Sequence, residues 1–332
     1  MKQIAQLSDQ DRSDLFAETG RAKGITAAAA EKDFWICWVL MHIFEHVKLK
    51  TILRFKGGTS LSKCFGLIER FSEDIDLILD WNEVTAEDPE QQRSKTQQNK
   101  LNKQINNDAQ YYIRETILPA LNNSMNGLAG LEIDENDGHT INVHYPTVHK
   151  DGYLRNEIRL EIGPLAHMLP FGSYEITSYA AEVFPKQFEQ AQMVVDAIVP
   201  ERTLWEKITI LHAEAHRPTD KPQADRYSRH YYDVYRMLGT EIEREVLKNL
   251  DLLAEVVAFK QKFYPSAWAR YDLAELATLK LSPEAHVRES LKKDYTEMQE
   301  MIFGESPDFE TMMNEIAEFE LRLNTLPSNK LN

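Results

Sequence analysis

Two aspartates separated by one residue are the strongest chemical signal in the sequence. Asp74 and Asp76 begin the alternating segment 74–79, which predicts a β-strand, and positions i and i+2 of a strand project to the same face. Two ionised carboxylates side by side repel each other unless a cation neutralises them or one of them takes a proton. Because hard oxygen ligands at this separation suit Mg²⁺ or Mn²⁺, we expect a divalent metal site here.

A glycine pair precedes this strand. Gly57 and Gly58 follow a short strand candidate at 52–55, and the pattern after them predicts a helix from residue 60 to about residue 71. Glycines let the backbone approach a phosphate closely, and amides at a helix start donate to phosphate oxygens. The spacing is not that of a Walker loop. The candidate nucleotide-binding residues of this segment are Gly57, Gly58, Thr59, Ser60 and Lys63.

A third carboxylate commonly completes a two-metal site that has an aspartate pair. The segment 157–162 alternates strictly and predicts a second strand, with Glu157, Arg159 and Glu161 on one face. Glu161 is the candidate for the third metal ligand, and Glu157 is its alternative. A surface ion pair with Arg159 would explain the same residues without a metal.

Charged residues also stand out in the predicted helices after Pro200. Lys207 projects from a different face than the apolar stripe of its helix, so its ammonium could reach a triphosphate. The segment 226–235 combines arginines, a histidine and four tyrosines with Asp233. Arg229 and its neighbours could bind a phosphate and a base together, or the segment could be an aromatic packing helix with capped charges.

The elements that must position these residues fall into two predicted domains. Residues 1–199 read as mixed α and β, and residues 200–332 read as all helical, so the fold class is α+β. Thr26 is placed to cap a long apolar helix that starts at Ala27. Its most apolar stretch, residues 34–47, is shorter than the ~20 apolar residues that span a bilayer. We therefore expect a buried helix and no membrane association.

The composition of the chain limits its expected localisation and binding partners. The chain has 332 residues, two cysteines and a formal net charge of −15, and its N-terminus shows no secretory signal. We therefore expect a cytoplasmic protein. The acidic balance argues against sequence-independent binding of nucleic acid, because such binding depends on lysines and arginines that displace counterions. A nucleic-acid substrate would need a local basic patch.

Four segments together resemble a known family. They are residues 31–34, residues 55–61 with 72–77, residues 206–207, and residues 229–235. In these segments the chain resembles the AbiEii/AbiGii and MenT-type nucleotidyltransferase toxins, which are members of the polymerase-beta-like nucleotidyltransferase superfamily. The resemblance implies a small mixed sheet flanked by helices, followed by an all-helical C-terminal domain.

The resemblance also implies a reaction. Family members transfer nucleotides from an NTP to an RNA acceptor in a metal-dependent reaction, with the 3′ end of tRNA as the expected acceptor. They are toxins of toxin–antitoxin and abortive phage infection systems, so a cognate antitoxin is an expected partner. Two other functions stay open from the residues alone: nucleotide transfer to a protein target, and nucleotide binding without catalysis.

Site roles follow from the resemblance residue by residue. It assigns Gly58 and Ser60 to the nucleotide phosphates and Lys207 to the triphosphate. It assigns the metal to Asp74 and Asp76, and Asp233 completes the active site. The chain departs from the family at His230, where members often have an aspartate.

Overall fold

The computed structural model describes residues 1–150, 154–304 and 306–326 and contains two compact units. The first unit comprises residues 1–66 and 71–198, and the second comprises residues 67–70 and 199–332. The chain therefore leaves the first unit after Gly66, contributes four residues to the second, and returns at Phe71.

A seven-stranded mixed sheet forms the centre of the first unit. The strands are β1 Leu53–Lys56, β2 Asp74–Leu79, β3 Gly130–Ile133, β4 Thr140–His144, β5 Ile158–Gly163, β6 Phe171–Thr177 and β7 Gln192–Ile198. Their spatial order is β3-β4-β5-β2-β1-β7-β6, with β1–β7 and β2–β5 parallel and the other neighbours antiparallel. This arrangement confirms the predicted α+β class.

Eight α-helices belong to the described part of the first unit. They are α1 Lys2–Ala5, α2 Asp9–Lys23, α3 Ala27–Phe44, α4 Leu49–Ile52, α5 Gly57–Lys63, α6 Lys95–Tyr112, α7 Leu118–Met125 and α8 Tyr179–Val183. Short 3-10 helices occupy Trp81–Glu83 and Pro185–Gln187, and a π-helical turn at Ile113–Ile117 joins α6 to α7. The polar segment 83–103 thus runs through a loop into α6, whose first turn is fixed by a capping box between Ser94 and Gln97.

Helix α3 is buried along almost its whole length. The Thr26 side chain accepts a hydrogen bond from the backbone N–H of Ala29 at 3.1 Å, as the sequence predicts. Every residue from Ala28 to Phe44 is buried, as expected for a helix that is apolar on nearly all sides. The predicted buried helix is confirmed. Across the described ranges, no helix combines the length and apolar character needed to cross a membrane.

The segment between the glycine pair and the aspartates differs from its prediction. Strand β2 begins at Asp74 as predicted, but α5 ends at Lys63, so the predicted helix to residue 71 is wrong. The residues that follow pack in the second unit instead. Arg70 forms an isolated β-bridge with Ile302, and the backbone N–H of Phe303 donates to the Glu69 carbonyl oxygen at 2.8 Å.

The second unit is helical in its described residues, as predicted. Its α-helices are α9 Pro200–Glu214, α10 Ser228–Met237, α11 Glu241–Lys248, α12 Asp251–Phe263, α13 Ala285–Met298 and α14 Phe309–Thr325. Short 3-10 helices lie at Tyr271–Leu273 and Gln299–Met301. Helix α10 packs against α9, α13 and α14, so its buried face lies at the centre of the unit.

The cap of α3 gives a first prediction. We expect Thr26→Ala to lower the free energy of unfolding by about 1 kcal/mol, because an orphan amide at the helix start loses its acceptor. Thr26→Ser retains the hydroxyl and should stay near the wild-type value. Urea unfolding followed by circular dichroism measures both. Equal losses in the two variants would show that the hydroxyl is not the stabilising group.

Candidate functional site

Polar residues of three adjacent strands share one face of the sheet. The register places Asp74 opposite Arg159 and Asp76 opposite Glu161 on β5, while on β1 Asp76 lies opposite Lys56. These side chains are half-buried, and the residues that alternate with them are buried. The predicted pair therefore lies in the middle of a charged strip across β1, β2 and β5.

The Asp76 carboxylate lies directly against the backbone of Gly57. The φ angle of Gly57 is +82°, in the left-handed region that favours glycine. A Cβ atom built at this position would overlap Oδ2 of Asp76 and lie 2.7 Å from its Cγ. Two separate reasons, the backbone conformation and the closeness of a carboxylate, therefore require glycine here.

Asp74 carries an unsatisfied oxygen. Its Oδ1 is buried and has no hydrogen-bond partner within the described ranges. A buried carboxylate oxygen without a donor is costly, and a hard divalent cation would satisfy it. On the backbone side, the Thr59 hydroxyl donates to the Asp74 carbonyl oxygen, which ties α5 to the start of β2. The donor set of Asp74 and Asp76 therefore fits Mg²⁺ or Mn²⁺.

Glu161 extends the negative charge but does not complete a preformed metal cage. Burial raises the pKa of Glu161, and the neighbouring charges of Asp76 and Asp74 raise it further, while Arg159 opposes them. In the described part of the chain, no group of three or more acidic, histidine or cysteine side chains is placed to hold one ion. The role of Glu161 as third ligand stays a prediction, as does that of Glu157, which lies just before β5.

Two residues of the glycine segment have partners other than a phosphate. The buried Ser60 hydroxyl donates to the Gly57 carbonyl oxygen at 2.9 Å and so closes the glycine turn. The ammonium of Lys63 is 2.6 Å from Oδ1 of Asp33, and both side chains are buried. These placements do not support the expected phosphate contacts of Ser60 and Lys63, because both groups already hold α5 in place.

A second charged cluster lies inside the second unit. Asp233 of α10 accepts hydrogen bonds from Nε and Nη2 of Arg70, both at 2.7 Å, and its Oδ2 is 2.8 Å from Nζ of Lys207. All three side chains are buried. Asp233 is therefore a shared anion between two buried cations, and its expected role in completing the active site stays a prediction.

The electrostatics agree with this arrangement. Burial by itself would raise the pKa of Asp233, but Arg70 and then Lys207 hold it well below its ordinary value. Burial lowers the pKa of Lys207, and Asp233 opposes that effect. Sequence reasoning missed Arg70. The only signal for it was an arginine between the apolar residues Ile68 and Phe71, shortly before the aspartate pair.

The same helix carries Arg229 and His230. Arg229 is half-buried and lies close enough to lower the pKa of both Lys207 and His230. Burial is the main cause that lowers the pKa of the His230 imidazole, and the charges of Lys207 and Arg229 lower it further. The residue that stands where the family often has an aspartate thus adds no negative charge.

Comparisons with known proteins agree on one kind of protein. A family model described as "Nucleotidyl transferase AbiEii toxin, Type IV TA system" matches residues 38–315. Among solved structures, MenT4, a nucleotidyltransferase toxin from Mycobacterium tuberculosis, matches with a TM-score of 0.54 and 15% sequence identity. That match covers 94% of this chain and 90% of the other and shows a shared fold. No curated protein sequence matches the chain.

The contact between Gly57 and Asp76 gives a second prediction. We expect Gly57→Ala to weaken Mn²⁺ binding by at least about tenfold, because the new Cβ displaces a carboxylate that would bind the ion. Gly24→Ala is the matched control, because Gly24 also has a positive φ, +69°, but has no atom within 4 Å of the added Cβ. Electron paramagnetic resonance of free Mn²⁺ measures the affinity. Equal affinity in the two variants would contradict the steric argument.

The shared anion gives a third prediction, on stability. We expect Asp233→Asn to lower the free energy of unfolding by about 3–5 kcal/mol, because it leaves two buried cations without their counter-charge. Lys207→Met should cost less, because the bidentate Arg70–Asp233 pair survives. Urea unfolding of both variants tests this order. A larger loss for Lys207→Met would show that Asp233 does not hold the cluster together.

Proposed function

Because the chain belongs to the AbiEii family of nucleotidyl transferase toxins of type IV toxin–antitoxin systems, we propose that it transfers a nucleotide from an NTP to an RNA acceptor, the 3′ end of tRNA. The reaction depends on Mg²⁺ or Mn²⁺. Family membership makes the chain a nucleotidyltransferase toxin that uses an NTP and has an antitoxin partner. The observation that carries the proposed chemistry is the Asp74–Asp76 pair on one face of β2, against the backbone of Gly57.

In the first unit, Asp74 and Asp76 would hold the divalent cation. When bound, such a cation offsets the negative charge of the triphosphate and activates the attacking hydroxyl. Gly57 leaves room for the Asp76 carboxylate, which occupies the space that a Cβ atom would fill at position 57. Thr59 holds the start of β2 to α5 through the Asp74 carbonyl oxygen. These residues orient the metal ligands relative to the glycine turn.

In the second unit, Lys207 and Arg229 supply positive charge for the NTP phosphates. The resemblance assigns Lys207 to the triphosphate, and Arg229 lies within electrostatic reach of the Lys207 ammonium, so the two positive groups could act on one polyanion. Asp233 contributes by holding the Lys207 ammonium in one place. In this proposal Asp233 is a positioning residue and does not bind the metal.

An RNA acceptor needs positive charge in a chain whose formal net charge is −15. Residues 217–229 contain four basic and two acidic residues. The Arg217 guanidinium lies 4.8 Å from the centre of the Trp268 ring, and the Lys221 ammonium lies 5.6 Å from it. Basic side chains beside an aromatic ring are typical of surfaces that bind single-stranded nucleic acid. This segment favours RNA over a protein acceptor.

The cellular setting completes the proposal. Both NTPs and tRNA are cytoplasmic, so we place the reaction in the cytoplasm. Modification of the tRNA 3′ end would block aminoacylation and stop growth, which fits a role in abortive phage infection. The antitoxin would prevent this outcome in uninfected cells.

The proposed reaction gives a fourth prediction. Purified protein is incubated with each α-labelled NTP, Mg²⁺ and total host RNA, and RNA and protein are then separated on gels. We expect label in a tRNA-sized band. We expect Asp76→Ala to reduce this label more than about 100-fold, because losing a residue that only supports a metal ligand already lowers activity or metal affinity 10–100-fold. Asp196→Ala is the control, because Asp196 lies on β7 of the same sheet and accepts a hydrogen bond from Ser173.

The outcomes separate the alternatives. Label in tRNA with wild type and Asp196→Ala supports the proposal and identifies the transferred base. Label in protein alone would replace the RNA acceptor with a protein target. Undiminished transfer by folded Asp76→Ala would rule out the proposed metal site, and an absence of label with every NTP would contradict the transfer reaction.

A further inference from the structure

Three consecutive charged residues are buried in the otherwise apolar helix α3. The relative exposures of Glu31, Lys32 and Asp33 are 0%, 0% and 2%. Moving a charge out of water is expensive unless partners satisfy it with good geometry. Each member of this triplet, which we call the Glu31–Asp33 triplet, has its own partners in a different segment of the first unit.

Lys32 connects the strand that carries the aspartates to a neighbouring segment. Its ammonium donates to Oε2 of Glu73 at 2.7 Å and to the Arg155 carbonyl oxygen at 2.8 Å. The backbone N–H of Arg155 donates to the same Glu73 oxygen at 2.8 Å. Glu73 directly precedes Asp74, and Arg155 lies shortly before β5. The buried ammonium therefore fixes the chain at the end of β2 where Asp74 lies.

Asp33 holds the helix that follows the glycine turn. Its Oδ1 is 2.6 Å from the ammonium of Lys63, the last residue of α5, and its Oδ2 accepts the backbone N–H of Tyr179 at 2.6 Å. The Lys63 ammonium also lies 4.1 Å from the centre of the Tyr179 ring. Because α5 begins at Gly57, this ion pair restrains the glycine turn from the other end of the helix.

Glu31 completes the set. Its carboxylate accepts the backbone N–H groups of Val148 at 2.9 Å and His149 at 2.8 Å. These residues follow β4, the strand on the outer side of β5. One turn of α3 therefore contacts the segments before β2, at the end of α5 and after β4.

We propose that the Glu31–Asp33 triplet positions the metal site, with Lys32 acting on Asp74 through Glu73 and Asp33 acting on Gly57 through Lys63. This inference rests on the proposed function, because it assigns the triplet to the same metal site. The triplet touches neither substrate nor metal, so its members are positioning residues.

Electrostatics supports a coupling between Lys32 and the site. Burial lowers the pKa of Lys32, and the charge of Glu73 opposes that effect most strongly. Asp74 opposes it as well, which places Asp74 within electrostatic reach of the buried ammonium. Loss of this charge would change both the position and the electrostatic surroundings of the metal ligand.

The test replaces whole ion pairs, because a single substitution leaves an unpaired buried charge and risks unfolding. Lys32→Met combined with Glu73→Gln removes both charges and keeps similar volumes. Asp33→Asn combined with Lys63→Met does the same at the other pair. Arg322→Met with Glu243→Gln is the control, since that ion pair is partly buried, with side-chain exposures of 46% and 10% and a distance of 2.6 Å, and belongs to neither proposed site.

Mn²⁺ affinity is measured by electron paramagnetic resonance in the presence of NTP, and folding by urea unfolding and circular dichroism. We expect both triplet variants to be folded and to bind Mn²⁺ about 10–100-fold more weakly, as for other partners of metal ligands. The control should keep wild-type affinity even where its stability falls. Transfer to RNA should fall in parallel with affinity and recover in part at high Mn²⁺ concentration.

Two results would overturn the inference. Wild-type Mn²⁺ affinity in both folded triplet variants would mean that the ion pairs only stabilise the fold. Absence of Mn²⁺ binding by the wild-type protein itself would contradict the proposed metal site and, with it, the role of the triplet. The wild-type and Asp76→Ala measurements distinguish these two failures.

Discussion

Mutual repulsion between the carboxylates of β2 is the constraint on which the site depends. Asp74 and Asp76 share a face of the strand, and the register brings Glu161 beside Asp76. Burial and these two neighbours raise the pKa of Glu161, which is the sign of like charges in a partly desolvated place. The fold must hold these carboxylates together before any cation binds. It does so with backbone contacts as well as with side chains of opposite charge.

Three features of the first unit provide this support. Gly57 leaves room for the Asp76 carboxylate, the Thr59 hydroxyl holds the Asp74 carbonyl oxygen, and Lys32 holds Glu73. Each removes a way in which the carboxylates could move apart. Because these contacts involve buried groups, they cost little additional entropy when a ligand binds. The two carboxylates that would hold a divalent cation are therefore largely fixed in position before one binds.

The charged cluster of the second unit has a different arrangement. Arg70 and Lys207 share the carboxylate of Asp233, and all three side chains are buried. An NTP in a metal-dependent transfer needs both a cation for its reacting phosphate and positive side chains for the rest of the triphosphate. Asp233 matters in this view because it keeps two like charges close together, and a neutral residue could not replace it.

Local sequence determined the parts of this protein that depend on neighbouring residues. The alternation of residues 74–79 was enough to place Asp74 and Asp76 on one face of a strand, and the Thr26 cap and the buried helix after it followed from residue type and spacing. Tertiary structure alone decided the rest. The apolar pattern after Ser60 predicted a helix to residue 71, but residues 67–70 pack with Ile302 and Phe303, far along the chain. The pairing of Arg70 with Asp233 spans 163 positions, and that of Lys32 with Glu73 spans 41. A charged residue in a sequence shows that it needs a partner but not which one, because the choice depends on which segments the folded chain brings within a few ångströms of each other.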